Sequence, residues 1–344
     1  MSLATVWFIL IAVLWIGFFV LEGFDLGVGA LHSVVGRTES ERRAAIETIG
    51  PFWDGNEVWL VVAAAAMFAA FPGWYATMFS GFYLLMVLAL VGLIARGVSF
   101  EFRGKVESPR WRQTWDIAMT AGSVIVAVGL GVALGNLVHG VPIGSNHEYT
   151  GTVWDLFHPY ALFTGLTVLM LCLVHGSTFL ALKTEGEARR RARRLAAWLA
   201  PITGLVVLGF IAWTHASEGK GVFVNPVEAI AVMAMFAVAW LAAERYEGWA
   251  FIATTVAIAT TIGAIFVDLY PRVMVSSTNS AYSLTVQNTA SGSYALKVIT
   301  VIAVVLLPVV LAYTAWSYHV FHRRVTVQSV APAQSPDPVS VPQP

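Results

Sequence analysis

The sequence predicts an all-α integral membrane protein with nine transmembrane helices, on three observations. Of its 344 residues, 58% are hydrophobic and only 12% are charged, where soluble domains run near about 25% charged. Apolar runs long enough to cross a roughly 30 Å hydrocarbon core recur along the chain. Lysine and arginine also alternate between successive connections, so that one set of loops and the C-terminal end carry sixteen and the other set three. That bias predicts an outside N terminus and a cytoplasmic C terminus.

The runs fall at about residues 5–31, 53–71, 75–98, 114–138, 158–182, 195–216, 222–243, 249–270 and 294–320. The first lacks a basic leader and an A-x-A-like cleavage site, so it reads as a span and not as a signal peptide. It contains Gly23 and Gly27, and the fourth contains Gly131 and Gly135; both pairs have the small-xxx-small spacing that lets helix backbones approach closely. The fifth holds Cys172, the single cysteine, which reads as a buried, inert thiol. Pro308 inside the ninth predicts a kink. A faint likeness between residues 21–45 and 174–196 suits a pair of four-helix bundles, about 5–138 and 158–270, followed by a peripheral helix at about 294–320. Basic cytoplasmic loops alone could produce the same likeness. The transmembrane domain then covers 1–324, and the polar, proline-rich stretch 325–344 reads as a disordered cytoplasmic tail. The loops leave no room for a soluble domain, and a net charge of zero gives no sign of a nucleic-acid partner.

Polar residues inside such spans are costly and tend to be functional or tightly paired. Glu22 and Asp25 lie late in the first span, one helical turn apart. Asp54 and Glu57, within GPFWDGNEV at 50–58, open the second with the same spacing, and Arg96 closes the third. The topology puts all five at one depth, toward the cytoplasm, with Trp53 and Trp59 flanking them. In a low-dielectric setting an acid is either paired with a cation such as Arg96 or protonated, and a group that changes protonation can relay protons. Two blander readings stand beside this one. Asp54-x-x-Glu57 has the spacing of a capping box, and the Arg96 pairing could serve only to lock the helices. Paired acids on two helices also suggest a di-metal centre, but neither helix has a Glu-x-x-His, so no metal is expected. His175, inside the fifth span, could ligate a haem; a hydrogen bond to a neighbouring helix is the commoner role. His32 and His158 stand at span ends.

With these residues in view, the chain resembles subunit II of the cytochrome bd quinol oxidases. The resemblance is carried by EGFDLGVGAL at 22–31, by the stretch at 36–84 that contains GPFWDGNEVW, and by RGVSFEFRGK at 96–105 with RWRQTWD at 110–116. GNLVHGVP at 135–142 and HGSTFLALKTEG at 175–186 continue it. It implies a heterodimer in the bacterial cytoplasmic membrane with a homologous subunit I. That partner would hold two haems b and one haem d, oxidise quinol at the outer face, and reduce dioxygen to water with protons drawn from the cytoplasm. Subunit II would be haem-free, would supply part of the proton path, and could hold a structural quinone or lipid; a small single-span accessory subunit could join the pair. The family's path aspartate in W-D-G-N falls on Asp54 and that of G-F-D on Asp25. Glu57 stands where some members have glutamine, and Glu22 also departs from some members, which leaves those two roles less secure. Two other classes remain open on the residues alone, a cation-coupled secondary transporter and a purely structural membrane partner. A transporter would favour broken helices at mid-membrane, whereas these acids lie toward one face.

Overall fold

A computed structural model of the chain describes residues 1–218 and 225–326. Eleven α-helices occur among them: α1 (Leu3–Val35), α2 (Glu39–Glu47), α3 (Trp53–Ala70), α4 (Pro72–Gly81), α5 (Tyr83–Phe102), α6 (Pro109–His139), α7 (Pro159–Lys183), α8 (Gly186–Glu218), α9 (Pro226–Ala243), α10 (Glu247–Leu269) and α11 (Ser293–Val320). The architecture is all-helical, and eight helices (α1 and α5 to α11) are long and apolar enough to cross a membrane. The expected second span coincides with α3. Its 18 residues are long enough, but the polar residues of WDGNE occupy its first turns and lower its apolar character.

The expected third span is divided between α4 and α5. The break falls at Phe82, although backbone bonds from Phe82 N to Met78 O and from Met86 N to Phe82 O (both 2.8 Å) carry the chain across it. The Tyr149 ring packs at this point, where a Cβ on Gly81 would lie 2.6 Å from its Cγ. The expected sixth span began at about residue 195, but α8 starts at Gly186. The basic stretch EARRRARR is good helix-forming sequence and continues the helix beyond its apolar part. The seventh span was expected from about residue 222. Helix α9 begins after a capping box between Asn225 and Glu228, and residues 222–224 lie outside the described set. Through Pro308, α11 remains one helix.

Helix α1 is the hub: it packs against α3, α6, α7 and α10. Helices α5, α6, α7, α8, α9 and α10 follow one another in space, each packed on the next with α7 also touching α10. Both glycine pairs fall at these seams. Gly27 faces Gly176 of α7, while Gly131 and Gly135 face Gly165, Thr164 and Ala161 of α7. At the periphery, α11 lies against α3 and α1 with Leu296 its sole buried residue. Its end is strapped to α7: Lys183 Nζ donates to the carbonyls of Phe321 (2.5 Å) and Arg323 (2.8 Å), and Val325 N donates to Lys183 O (2.8 Å). The expected tail is thus still bonded at Val325, while residues 327–344 lie outside the described set.

Two features had no counterpart in the sequence reading. The short helix α2 is opened by a capping box between Thr38 and Glu41, and Arg191 of α8 pairs with Glu41 at 2.6 Å. Burial works against the Glu41 charge, but the Arg191 guanidinium and the Thr38 and Arg37 amides hold its carboxyl below the usual carboxylate range. At the opposite end of the helices, residues 139–157 and 271–293 pack on each other. A two-stranded antiparallel ribbon, β1 (Arg272–Met274) with β2 (Leu284–Thr285), belongs to this cap. So does a bond of 2.5 Å from Thr278 Oγ1 to Ile143 O.

Candidate functional site

The acid cluster forms where α1, α3 and α5 meet. Glu22, Asp25 and Arg96 are wholly buried. Arg96 Nη1 pairs with Glu22 Oε1 and stands 3.6 Å from Glu57 Oε2, and Glu57 is partly open to the surface. The guanidinium of Arg96 lies over the Phe100 ring at 5.6 Å, and Trp53 stacks on Phe100 at 4.9 Å. Despite the close charge contact, none of the three Arg96 nitrogens makes a well-directed hydrogen bond among the described residues. The guanidinium is held by charge and stacking, a looser constraint than a bidentate fork.

Asp25 is bound differently. Asn56 Nδ2 donates to Asp25 Oδ2 at 2.7 Å and to the Leu21 carbonyl at 3.1 Å. Tyr318 Oη of α11 donates to Asn56 Oδ1 at 3.1 Å. Among the described residues, the other Asp25 oxygen, Oδ1, is buried and has no well-directed hydrogen bond. A continuous polar line therefore runs from α11 through α3 to the carboxyl on α1.

Asp54 lies apart from this core. It is exposed in the first turn of α3, at the mouth of the cluster. The capping box that the Asp54-x-x-Glu57 spacing offered as an alternative does not form. Phe52 is the N-cap residue and contributes no side-chain bond. The turn before it supplies backbone acceptors instead, with Phe52 N and Trp53 N both donating to Ile49 O (2.9 and 3.1 Å). Glu57 is thereby left to face Arg96.

Of the residues expected from the sequence, Glu22, Asp25, Glu57 and Arg96 are brought together, Trp53 walls them through Phe100, and Asp54 stands outside. The contributions of Asn56 and Tyr318 went unassigned. The signal for Asn56 was an amide inside the acid motif; for Tyr318 it was a phenol near the end of an otherwise apolar run. A second ionic network near the same helix ends was also missed. Arg103 reaches Asp116 through Nε (2.6 Å) and Glu39 through a bidentate pair (2.8 and 3.0 Å), while His32 Nε2 and Arg42 Nη1 approach Asp116 at 3.1 and 3.3 Å. Burial opposes the Arg103 charge, but Asp116 and Glu39 together hold its guanidinium above the ordinary range.

Both ring nitrogens of His175 are engaged. Its Nε2 donates to the Val20 carbonyl at 3.0 Å, and its Nδ1 lies 2.6 Å from Thr254 Oγ1. The ring also stacks on Phe251 at 4.6 Å. An axial haem ligand must present a ring nitrogen to the iron, so this arrangement fits an interhelical clasp between α7, α10 and α1 and does not fit a haem ligand. At the other end of α7, His158 Nδ1 accepts the Ala161 amide as a cap (3.3 Å).

Residues 3–321 match the family described as cytochrome bd terminal oxidase subunit II. The chain belongs to that family. It is 45% identical to the cytochrome bd ubiquinol oxidase subunit 2 of Bacillus subtilis (strain 168), over 94% of this chain and 97% of the relative. It is 36% identical to the cytochrome bd-I ubiquinol oxidase subunit 2 of Escherichia coli (strain K12), over 94% and 96%. Among solved structures, the bd oxidase from Geobacillus thermodenitrificans has a chain of the same fold. The TM-score is 0.71 at 18% identity, with 93% of this chain and 99% of that one covered. As a cytochrome bd oxidase subunit II, with eight helices suited to crossing a bilayer, the chain is a multi-pass protein of the bacterial cytoplasmic membrane.

Proposed function

We propose that this chain is the haem-free half of a heterodimeric quinol oxidase, and that its acid cluster forms part of the proton route to the partner's oxygen-reducing haem. The haems b and d belong to subunit I in this reading, as does quinol oxidation. One observation carries the proton assignment: a wholly buried carboxyl, Asp25, joined to Asn56 and Tyr318 on one side and adjoining the Glu22, Arg96 and Glu57 group on the other. A carboxyl can take up a proton, hand it on and be recharged, whereas the Asn56 amide can only orient its neighbours. The fixed positive charge of Arg96 allows a carboxylate to exist in a buried place. Glu57, partly exposed, and Asp54, fully at the mouth, offer entry positions.

The full reading includes nine spans, two four-helix groups and a peripheral ninth helix, with the N terminus outside. The sixteen-to-three bias of basic residues supports the orientation. In that orientation Asp54 faces the side from which consumed protons come. A topology reporter fused after Arg324 is expected to read as cytoplasmic; an external signal overturns the orientation and with it the direction of the route.

The test of function uses the complex purified through this chain. It is expected to contain a second, haem-bearing chain, and Asp54→Asn is expected to leave the haem spectrum and the partner in place. Phe52, not Asp54, is the N-cap residue. The lost interaction of Asp54 with the helix dipole is worth only ~0.3–1 kcal/mol, too little to unfold the chain. Oxygen consumption should fall by roughly tenfold or more, within the range for lost proton transfer, and Asp54→Glu should restore part of it. Wild-type turnover by Asp54→Asn across the neutral pH range would sink the relay and favour a purely structural cluster, a reading the buried Arg96–Glu22 pair also supports. A preparation with no haem-bearing partner would sink the oxidase assignment itself.

A further inference from the structure

Where the start of α8 meets the turn between α9 and α10, the surface holds a cavity of about 270 Å³ lined by Gly186, Arg189, Arg190, Arg193 and Arg245. The acid cluster uses none of these residues. We propose that this cavity binds a phosphate-bearing anion, and that its occupant is the headgroup of an anionic phospholipid.

Charge is the first argument. Four guanidinium groups line one small volume, and only two are answered. Arg189 makes a bidentate pair with Glu247, its Nε and Nη2 at 3.0 Å each from the two carboxylate oxygens. Arg190 pairs with Glu187 within α8. Among the described residues, the guanidinium groups of Arg193 and Arg245 have no carboxylate within 4 Å. The cavity therefore keeps an excess of about two positive charges, and like charges so confined favour a counter-ion with several oxygens. Arginine presents planar, fork-shaped donors that match a phosphoryl group. The positive end of the α8 dipole adds to the same field.

Position is the second argument, and it selects the lipid over a soluble anion. Trp240, Tyr246 and Trp249 are all exposed and bracket Arg245 in sequence, with the Trp240 and Tyr246 rings 6.4 Å apart. Exposed Trp and Tyr gather at the boundary between hydrocarbon and headgroups. Farther along α8 come the exposed apolar side chains Trp198, Ile202 and Leu205. The arginines thus stand at headgroup level with an apolar helix face beyond them, the arrangement by which basic hollows between membrane helices hold acidic lipid headgroups. Arg189 and Arg193 are one turn apart on α8, while Arg245 comes from the α9–α10 turn, so one bound phosphate would tie two helix pairs together.

The test uses the purified complex, with lipid retention measured by native mass spectrometry after exchange into phosphatidylglycerol or phosphatidylcholine. Wild type is expected to retain phosphatidylglycerol preferentially. Arg193→Gln/Arg245→Gln should weaken that retention about tenfold or more. Lys105→Gln/Arg110→Gln, which removes two exposed charges elsewhere, should leave it unchanged. Millimolar inorganic phosphate should fail to displace the lipid. Equal retention of the two lipids by wild type, equal loss in both double variants, or an unaltered Arg193→Gln/Arg245→Gln complex overturns the proposal. Displacement by inorganic phosphate overturns the lipid assignment and gives the site to a soluble anion. The lipid comparison and the phosphate competition need no variant, so failure of a variant to assemble does not shield the proposal. Loss of the proton reading would show in turnover and not in lipid retention.

Discussion

Arg96→Gln is expected to abolish assembly of the complex. Arg96 and Glu22 are both wholly buried and paired. Removing one member of a buried pair strands the other without compensation, at a cost of ~3–5 kcal/mol. That is a large share of the ~5–15 kcal/mol by which folded domains are usually stable. Glutamine can still hydrogen-bond, but it supplies no charge to Glu22 or to Glu57, 3.6 Å away. The yield of haem-containing complex, read by absorbance after solubilisation, should drop by roughly two orders of magnitude. The double variant Arg96→Gln/Glu22→Gln removes both charges and should recover most of the assembly, because a neutral pair carries no stranded charge. Its turnover should stay low if the cluster conducts protons and return to normal if the cluster only packs. Normal assembly of Arg96→Gln alone would show that the pair contributes little to folding.

Gly27→Val is expected to be nearly as damaging, and for a steric reason. A Cβ at Gly27 would strike the Cys172 carbonyl and lie 2.8 Å from Gly176 Cα; a Cβ at Gly176 would lie 2.6 Å from Gly27 Cα. Every one of these neighbours is backbone, so no side chain can rotate aside. Helices α1 and α7 would have to separate, and α1 also carries the contacts to α3, α6 and α10. Overpacking in cores typically costs ~1–3 kcal/mol, and a backbone-to-backbone seam lies at the severe end. Gly23→Ala makes the contrast: its new Cβ would sit 3.6 to 3.8 Å from Cys172, Ile258 and His175 side chains, ordinary contact distances. Thermal melting of the purified complex should place Gly23→Ala with wild type and Gly27→Val far below it. Equal melting of the two variants would refute the seam.

The same glycines mark how far the sequence could be read. Their spacing announced a close approach on α1 but gave both equal weight, because one-dimensional spacing does not say which glycine meets backbone and which meets side chains. The partner, Gly176, had no matching pattern to reveal it. Hydropathy located most of the helices because each apolar run must hide its peptide groups from lipid. It failed at Phe82, where a ring from a distant loop packs at the interruption, and at the start of α8, where helix propensity outlasts the apolar stretch. The acids were legible as costly residues in apolar runs. Their division into an Arg96-bound group and an Asn56-bound Asp25 was not, since it depends on which way each side chain turns. The Asp116 and Arg103 network was hidden because its members sit near span ends, where charges are common.

The bond from Tyr318 has a consequence for how the protein is made. Leu296 is the sole buried residue of α11, so little apolar packing draws this helix inward. It is attached instead near its two ends, by Trp7 Nε1 to Thr300 Oγ1 at 2.9 Å and by the Tyr318 and Lys183 bonds. Ribosomes deliver α11 after α1 to α10, yet its phenol completes the hydrogen-bonding of Asn56, which in turn holds Asp25. The acid pocket is therefore sealed only once α11 has been made and docked. A chain that stops short of α11 can have the earlier helices in place and still lack this contact of its polar core.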